Sequence, residues 1–164
     1  MTTEPKPAGL GKPLMIFLAT LIAGQAVLTG LASAFPDISM PSGFGIVLTM
    51  IAALSAGQSH AKAAGRLSTR AENRRFASLA TLVSVLLAAT GIAGLMAWYQ
   101  VPFNLPMLSL VLSGDETFLA DIGGWLWAIL GFAVVLTWGV TNFGFTAGSK
   151  GVIRKMDKDA ARGR

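Results

Sequence analysis

The chain has no cysteine, a single histidine and few charges: 13% of its 164 residues are Asp, Glu, Lys or Arg. Without cysteine there is no disulfide, no thiol nucleophile and no Cys-ligated zinc or iron–sulfur centre. With His60 as the one histidine, haem ligation by two histidines of one chain is excluded, and metal or proton chemistry at His60 has no second ligand in view. No cofactor is expected. Set against 53% hydrophobic residues, the small charged fraction leaves too little polar surface for an ordinary soluble domain.

The charges that exist are confined to short segments. Every Lys and Arg lies in one of three places: Lys6 and Lys12; Lys62, Arg66, Arg70, Arg74 and Arg75; or the six basic residues from Lys150 to the C-terminus. Between them run four uncharged apolar stretches, 14–34, 43–59, 76–99 and 122–145. Each is within the length that crosses a bilayer as a helix, the second at the short end of the range. The expected fold is therefore all-α, a polytopic transmembrane four-helix bundle. Its two remaining loops hold Asp37, Asp115, Glu116 and Asp121 and no basic residue, which puts +9 (thirteen basic, four acidic residues) on one side and −4 on the other. The positive-inside rule then makes both termini cytoplasmic. Trp98, Tyr99, Trp125 and Trp127 fall at the external interface, where aromatic belts form.

This topology divides the chain into a cytoplasmic N-terminal segment (1–13), a transmembrane domain (14–145) and a basic cytoplasmic tail (146–164). A cytoplasmic hairpin occupies about 60–75 and an external interfacial segment occupies 100–121. Ala32-Ser33-Ala34 has the form of a signal-peptidase site. The 21-residue run that ends in it, 14–34, exceeds the roughly 7 to 15 residues of a signal h-region, which favours an uncleaved span; cleavage after Ala34 would leave the other three unchanged. In the hairpin, Gly65 suits a helix C′ position, and Thr69 with Glu72 has the spacing of a capping box. Glu72 is read as that cap, paired with Arg75 or Arg66. In the external segment, Pro106 and Gly114 bracket one or two helical turns at the interface, and Asp115 and Glu116 suit the first turn of a helix running into span four. The tail alternates Val152, Ile153 and Met156 with basic residues, as a short amphipathic helix on the leaflet would.

Within the spans, small residues recur at spacings of four and three. Ala26 and Gly30 belong to such a stripe in span one, Ala52 and Ala56 in span two, Ser84 and Ala88 in span three, Gly124 and Gly131 in span four. Lipid supplies no hydrophobic drive for helix association, so close approach along these stripes is expected to hold a left-handed bundle together. Gln25 and Asn142 are amides that need partners in hydrocarbon; Trp138 or Thr137 lies at the right height to receive Gln25.

Gly57, Gly65-Arg66, Glu72 and Phe76-Ala77, placed between spans two and three, resemble the central signature of a family of small, uncharacterised four-helix bacterial inner-membrane proteins known only by a locus tag. The likeness covers mainly residues 43–90. It implies an inner-membrane location and an unassigned activity, and carries over no functional residues. The spans hold no carboxylate and no nucleophile–base pair, so a non-catalytic structural or accessory component, alone as a homo-oligomer or within a larger complex, is expected. A small-solute transporter, similar in size to the small multidrug exporters, is the first alternative. A membrane enzyme acting on a lipid or lipophile, similar to the glutathione-using four-helix eicosanoid enzymes, is the second. The expected partners are the bilayer and, at the cytoplasmic face, anionic lipids met by Arg66, Arg70, Arg74, Arg75, Arg154 and Lys155. Nucleic acid is not expected, because the basic segments flank apolar spans and lack interleaved aromatics.

Overall fold

The computed structural model describes residues 9–35, 43–100 and 102–163, without the side chains of 111 and 112. The expected external loop at Asp37, together with Glu4, Lys6 and Arg164, lies outside them. Of the described residues 85% are helical, in the order α1 (Gly11–Ala34), α2 (Phe44–Ala64), α3 (Arg70–Trp98), α4 (Leu105–Ser113), α5 (Phe118–Ile122) and α6 (Trp125–Ala161). Helices α1, α2, α3 and α6 are long and apolar enough to cross a membrane.

Helix α2, with 21 residues, runs on past the apolar stretch to Gly65, as the C′ reading of that glycine expects. Two boundaries differ from the sequence reading, each for a local reason. The fourth span begins at Trp125: Gly123, at φ 49° and ψ −123°, breaks the chain between α5 and α6. Asp115 and Glu116 consequently do not open that span. Asp115 instead accepts hydrogen bonds from the Thr117 N–H (2.9 Å) and hydroxyl (3.0 Å), turning the chain into the single-turn α5. The tail is not a separate surface helix either; α6 runs without interruption to Ala161.

The chain forms two compact units, residues 1–81 with 137–164, and residues 82–136. In the first, the core is Phe17 of α1, Ala52, Ala53 and Ala56 of α2, Phe76 and Ala80 of α3, and Phe145 of α6. Phe76 and Phe145 stack at 4.1 Å between ring centroids, and Phe17 meets Phe76 edge-on at 5.8 Å. The edge-on contact is a favoured aromatic geometry. Within this unit α3 and α6 are antiparallel, since 68 pairs with 149, 73 with 146 and 78 with 138. Helices α2 and α6 run the same way: Gly144 lies against Met50 and Ala53, and Gly148 against Leu54 and Gln58. A Cβ at Gly57 would land on the Phe145 carbonyl, and one at Gly148 on the Leu54 carbonyl. Gly144 and Gly148, spaced as GxxxG, and Ala53 with Gly57 thus bring two backbones together as small-xxx-small pairs do.

The expected small-residue seam is only partly where packing occurs. Ala52 and Ala56 are in the core, and Ser84 is half-buried. Ala26, Gly30, Ala88, Gly124 and Gly131 are exposed, and a Cβ at Gly30, Gly124 or Gly131 would meet nothing within 4 Å. On α1 the reason is steric priority. Leu10, Leu14, Phe17 and Leu21 turn toward the core, which leaves the stripe from Ala19 through Ala23, Ala26 and Gly30 to Ser33 on the exposed side.

The second unit is fastened through Ser109, which is fully buried. Its hydroxyl donates to the Asp115 carbonyl (2.5 Å) and accepts from the Leu119 N–H (3.0 Å), tying α4 to α5. Asn104 caps α4 by accepting from the Met107 N–H (3.0 Å), Pro106 sits in its first turn, and Gly114 ends it at φ 80°.

Candidate functional site

The densest polar structure is at the basic end of the first unit. Gly65, at φ 63°, donates its N–H to the Ala61 carbonyl and ends α2 in the left-handed conformation glycine tolerates. Four residues later the chain re-enters helix through a reciprocal cap: Thr69 N–H donates to Glu72 Oε2 (2.8 Å), and Glu72 N–H donates to Thr69 Oγ1 (3.2 Å). Arg66 grips the same carboxylate with two hydrogen bonds, Nη2 to Oε1 at 2.7 Å and Nη1 to Oε2 at 3.0 Å. Its partner is therefore Arg66 and not Arg75. The Arg66 hydrogen bonds, reinforced by the Thr69 N–H, outweigh burial and hold the Glu72 carboxyl at about 2, while Glu72 raises the Arg66 guanidinium.

Three polar links then join this hairpin and α3 to α6. Ser68 donates to Ser149 Oγ (3.1 Å), and Ser149 donates to the carbonyls of Phe145 (3.0 Å) and Gly57 (3.3 Å), reaching α2 as well. Asn73 donates to Thr146 Oγ1 (2.9 Å), which donates on to the Asn142 carbonyl (2.8 Å). Trp138 Nε1 donates to Ser78 Oγ (3.3 Å).

These links correct the expected polar pairing. Gln25 is exposed on α1, and Trp138, one of the two partners expected for it, spends its only side-chain donor on Ser78. Asn142 is half-buried and contributes its backbone carbonyl. Thr137, also half-buried, lies just inside the first unit. The bonding residues that went unread are Ser78, Asn73, Thr146, Ser68 and Ser149, all close to helix ends or to the basic flank, where polarity looks unremarkable in a sequence. Of the basic residues expected at a lipid surface, Arg70, Arg74, Arg75, Arg154 and Lys155 are exposed, and Arg66 is half-buried by its grip on Glu72.

His60 sits at the centre of this end. It is 1% exposed, its ring lies 5.4 Å from that of Phe145, and Nε2 is 3.6 Å from Glu72 Oε2. Neither ring nitrogen has a hydrogen bond, and the buried Thr81 and Thr141 hydroxyls are likewise unpartnered. Among the described residues no group of three or more His, Asp or Glu side chains could hold a metal. Glu72, the carboxylate closest to the core, has its oxygens committed to Arg66 and Thr69. What this arrangement does chemically is bind helix to helix. Fold and site together define an all-helical protein with four helices capable of crossing a membrane. No protein-family model, curated protein or solved structure matches it.

Proposed function

We propose that the protein is a non-catalytic integral component of a bacterial inner membrane, four-spanning with both termini cytoplasmic and packed as a left-handed bundle, acting as a structural or accessory subunit. The observation that carries this reading is how the polar groups at the basic end are used. Glu72 accepts from Arg66 and Thr69, while Asn73, Ser149 and Trp138 join α3 and α2 to α6. Proton-coupled transport would call instead for an ionisable group within the spans, free to titrate. The exposed stripe on α1, with the Gln25 amide beside it, supports association with another membrane helix, because an amide at mid-depth gains from a partner across a close interface.

The test is reconstitution into liposomes, following proton flux across a pH gradient with lipophilic cations offered as substrates. No flux above protein-free vesicles is expected. Substrate-dependent proton release abolished by His60→Asn or Asn142→Ala would replace this reading with transport.

A further inference from the structure

Beside the hairpin, the start of α1 and the last turns of α2 leave a cleft of 440 Å³ lined by Gly9, Gly11, Lys12, Pro13, Ser59, His60 and Ala63. A second cleft of 480 Å³ shares Lys12, Ser59 and Ala63 with it and continues one turn deeper along Ile16 and Ser55, with Lys62 at its rim. We propose that these joined clefts hold one anionic phospholipid, its phosphate at Lys12, Lys62 and His60 and the upper part of one acyl chain along Ile16 and Ser55.

Three independent features point to an anion at the mouth. Helix α1 has 24 residues and, among the described residues, no capping side chain and no acidic residue in its first turn, so the positive end of its dipole is open to an anion. His60, almost fully buried, lines the same cleft with neither ring nitrogen hydrogen-bonded; Nε2 lies 3.6 Å from Glu72 Oε2, so Nδ1 is the nitrogen left to donate. Lys12 and Lys62 flank the cleft from two helices, and Lys62 offsets the negative end of α2. The nearby Glu72 is neutralised by the two-pronged Arg66 contact. Two features point to a lipid and not a free phosphate ion. Pro13, Ala63 and Ile16 give the clefts an apolar side, faced in the deeper one by Ser55 and Gln58. The site also lies where the apolar run of α1 begins, at headgroup depth if α1 spans the bilayer. It differs from the arginines at 70, 74 and 75, which are exposed and border neither cleft. The inference rests on the membrane location proposed above, not on the scaffold role.

The test is native mass spectrometry of the full chain in a neutral mild detergent, titrated with phosphatidylglycerol or phosphatidylcholine. One phosphatidylglycerol per chain should be retained in preference to phosphatidylcholine. Lys12→Gln with Lys62→Gln, both on the surface, should weaken retention on the order of tenfold. Arg74→Gln with Arg75→Gln should change it less than about twofold, with helical circular dichroism unaltered in both. Equal loss in the two double variants, or equal retention of the two lipids, would overturn the site. Displacement of the lipid by low millimolar inorganic phosphate would overturn the lipid as occupant. A protein that stays monomeric without detergent would instead overturn the membrane location.

Discussion

Gly57→Ala adds one methyl group where α2 and α6 touch through their backbones. The new Cβ would overlap the carbonyl group of Phe145, and a carbonyl inside a helix cannot rotate aside as a side-chain terminus can. The helices must therefore separate. Overpacking of this kind costs about 1 to 3 kcal/mol, and separation also weakens the Ser149 hydroxyl's 3.3 Å bond to the Gly57 carbonyl, about 0.5 to 1 kcal/mol more. Against this, replacing glycine by alanine within a helix recovers about 0.5 to 1 kcal/mol of backbone entropy. The net expectation is destabilisation by about 1 to 3 kcal/mol. Gly139→Ala and Gly131→Ala are the internal controls, because a Cβ at either position of α6 meets nothing within 4 Å. They should be neutral or stabilising by up to about 1 kcal/mol. Reversible unfolding in mixed micelles, with increasing dodecyl sulfate and helicity followed by circular dichroism, ranks the three. Identical midpoints for Gly57→Ala and Gly139→Ala would refute the claim that α2 and α6 meet at Gly57.

Four further outcomes are expected. Glu72 is held at about 2 in the folded protein, below its ordinary 4.5, so its stabilisation is complete above about pH 5 and is lost as pH falls toward 2. With partial solvent exposure it amounts to about 1 to 2 kcal/mol, and Glu72→Gln should flatten the acid limb of a stability–pH profile. A double-mutant cycle on Ser78→Ala and Trp138→Phe should show coupling of about 0.5 to 1 kcal/mol, whereas Gln25→Ala with Trp138→Phe should be additive. Single cysteines at Leu67 and Glu116, clean because the native chain has none, should be respectively protected from and labelled by an impermeant thiol reagent in intact cells; the reverse pattern would invert the topology. Gly30→Cys should form a disulfide dimer in membranes if the exposed face of α1 meets a second copy, and monomer alone after oxidation would leave that face to lipid or a different partner.

What could be read in the sequence divides along a physical line. Hydropathy and charge report the contrast between lipid and water, and that contrast produced the four long helices. The turn chemistry of Gly65, Thr69 and Glu72, and of Pro106 and Gly114, is local, depending on residues three or four apart, and its geometry follows from spacing. Helix faces are another matter. On α1 the Leu, Phe face and the Ala, Gly face both repeat at spacings of four and three, and periodicity alone does not say which turns inward; lipid accepts either, so only the shape of the neighbours decides. Phe17 fits against Phe76, and the small face is left outside. The signal that would have located the α2–α6 contact was nonetheless present. Gly144 and Gly148 form GxxxG, but they fall where the fourth apolar run gives way to the basic tail, beyond the stripe read from Gly124 and Gly131. Because α6 is continuous through that point, the packing that organises the basic end is built from residues on both sides of an edge that hydropathy draws and the helix ignores. The same continuity places Ser149 within reach of both Ser68 and Gly57, so one hydroxyl just beyond the apolar run fastens α6 to the hairpin and to α2.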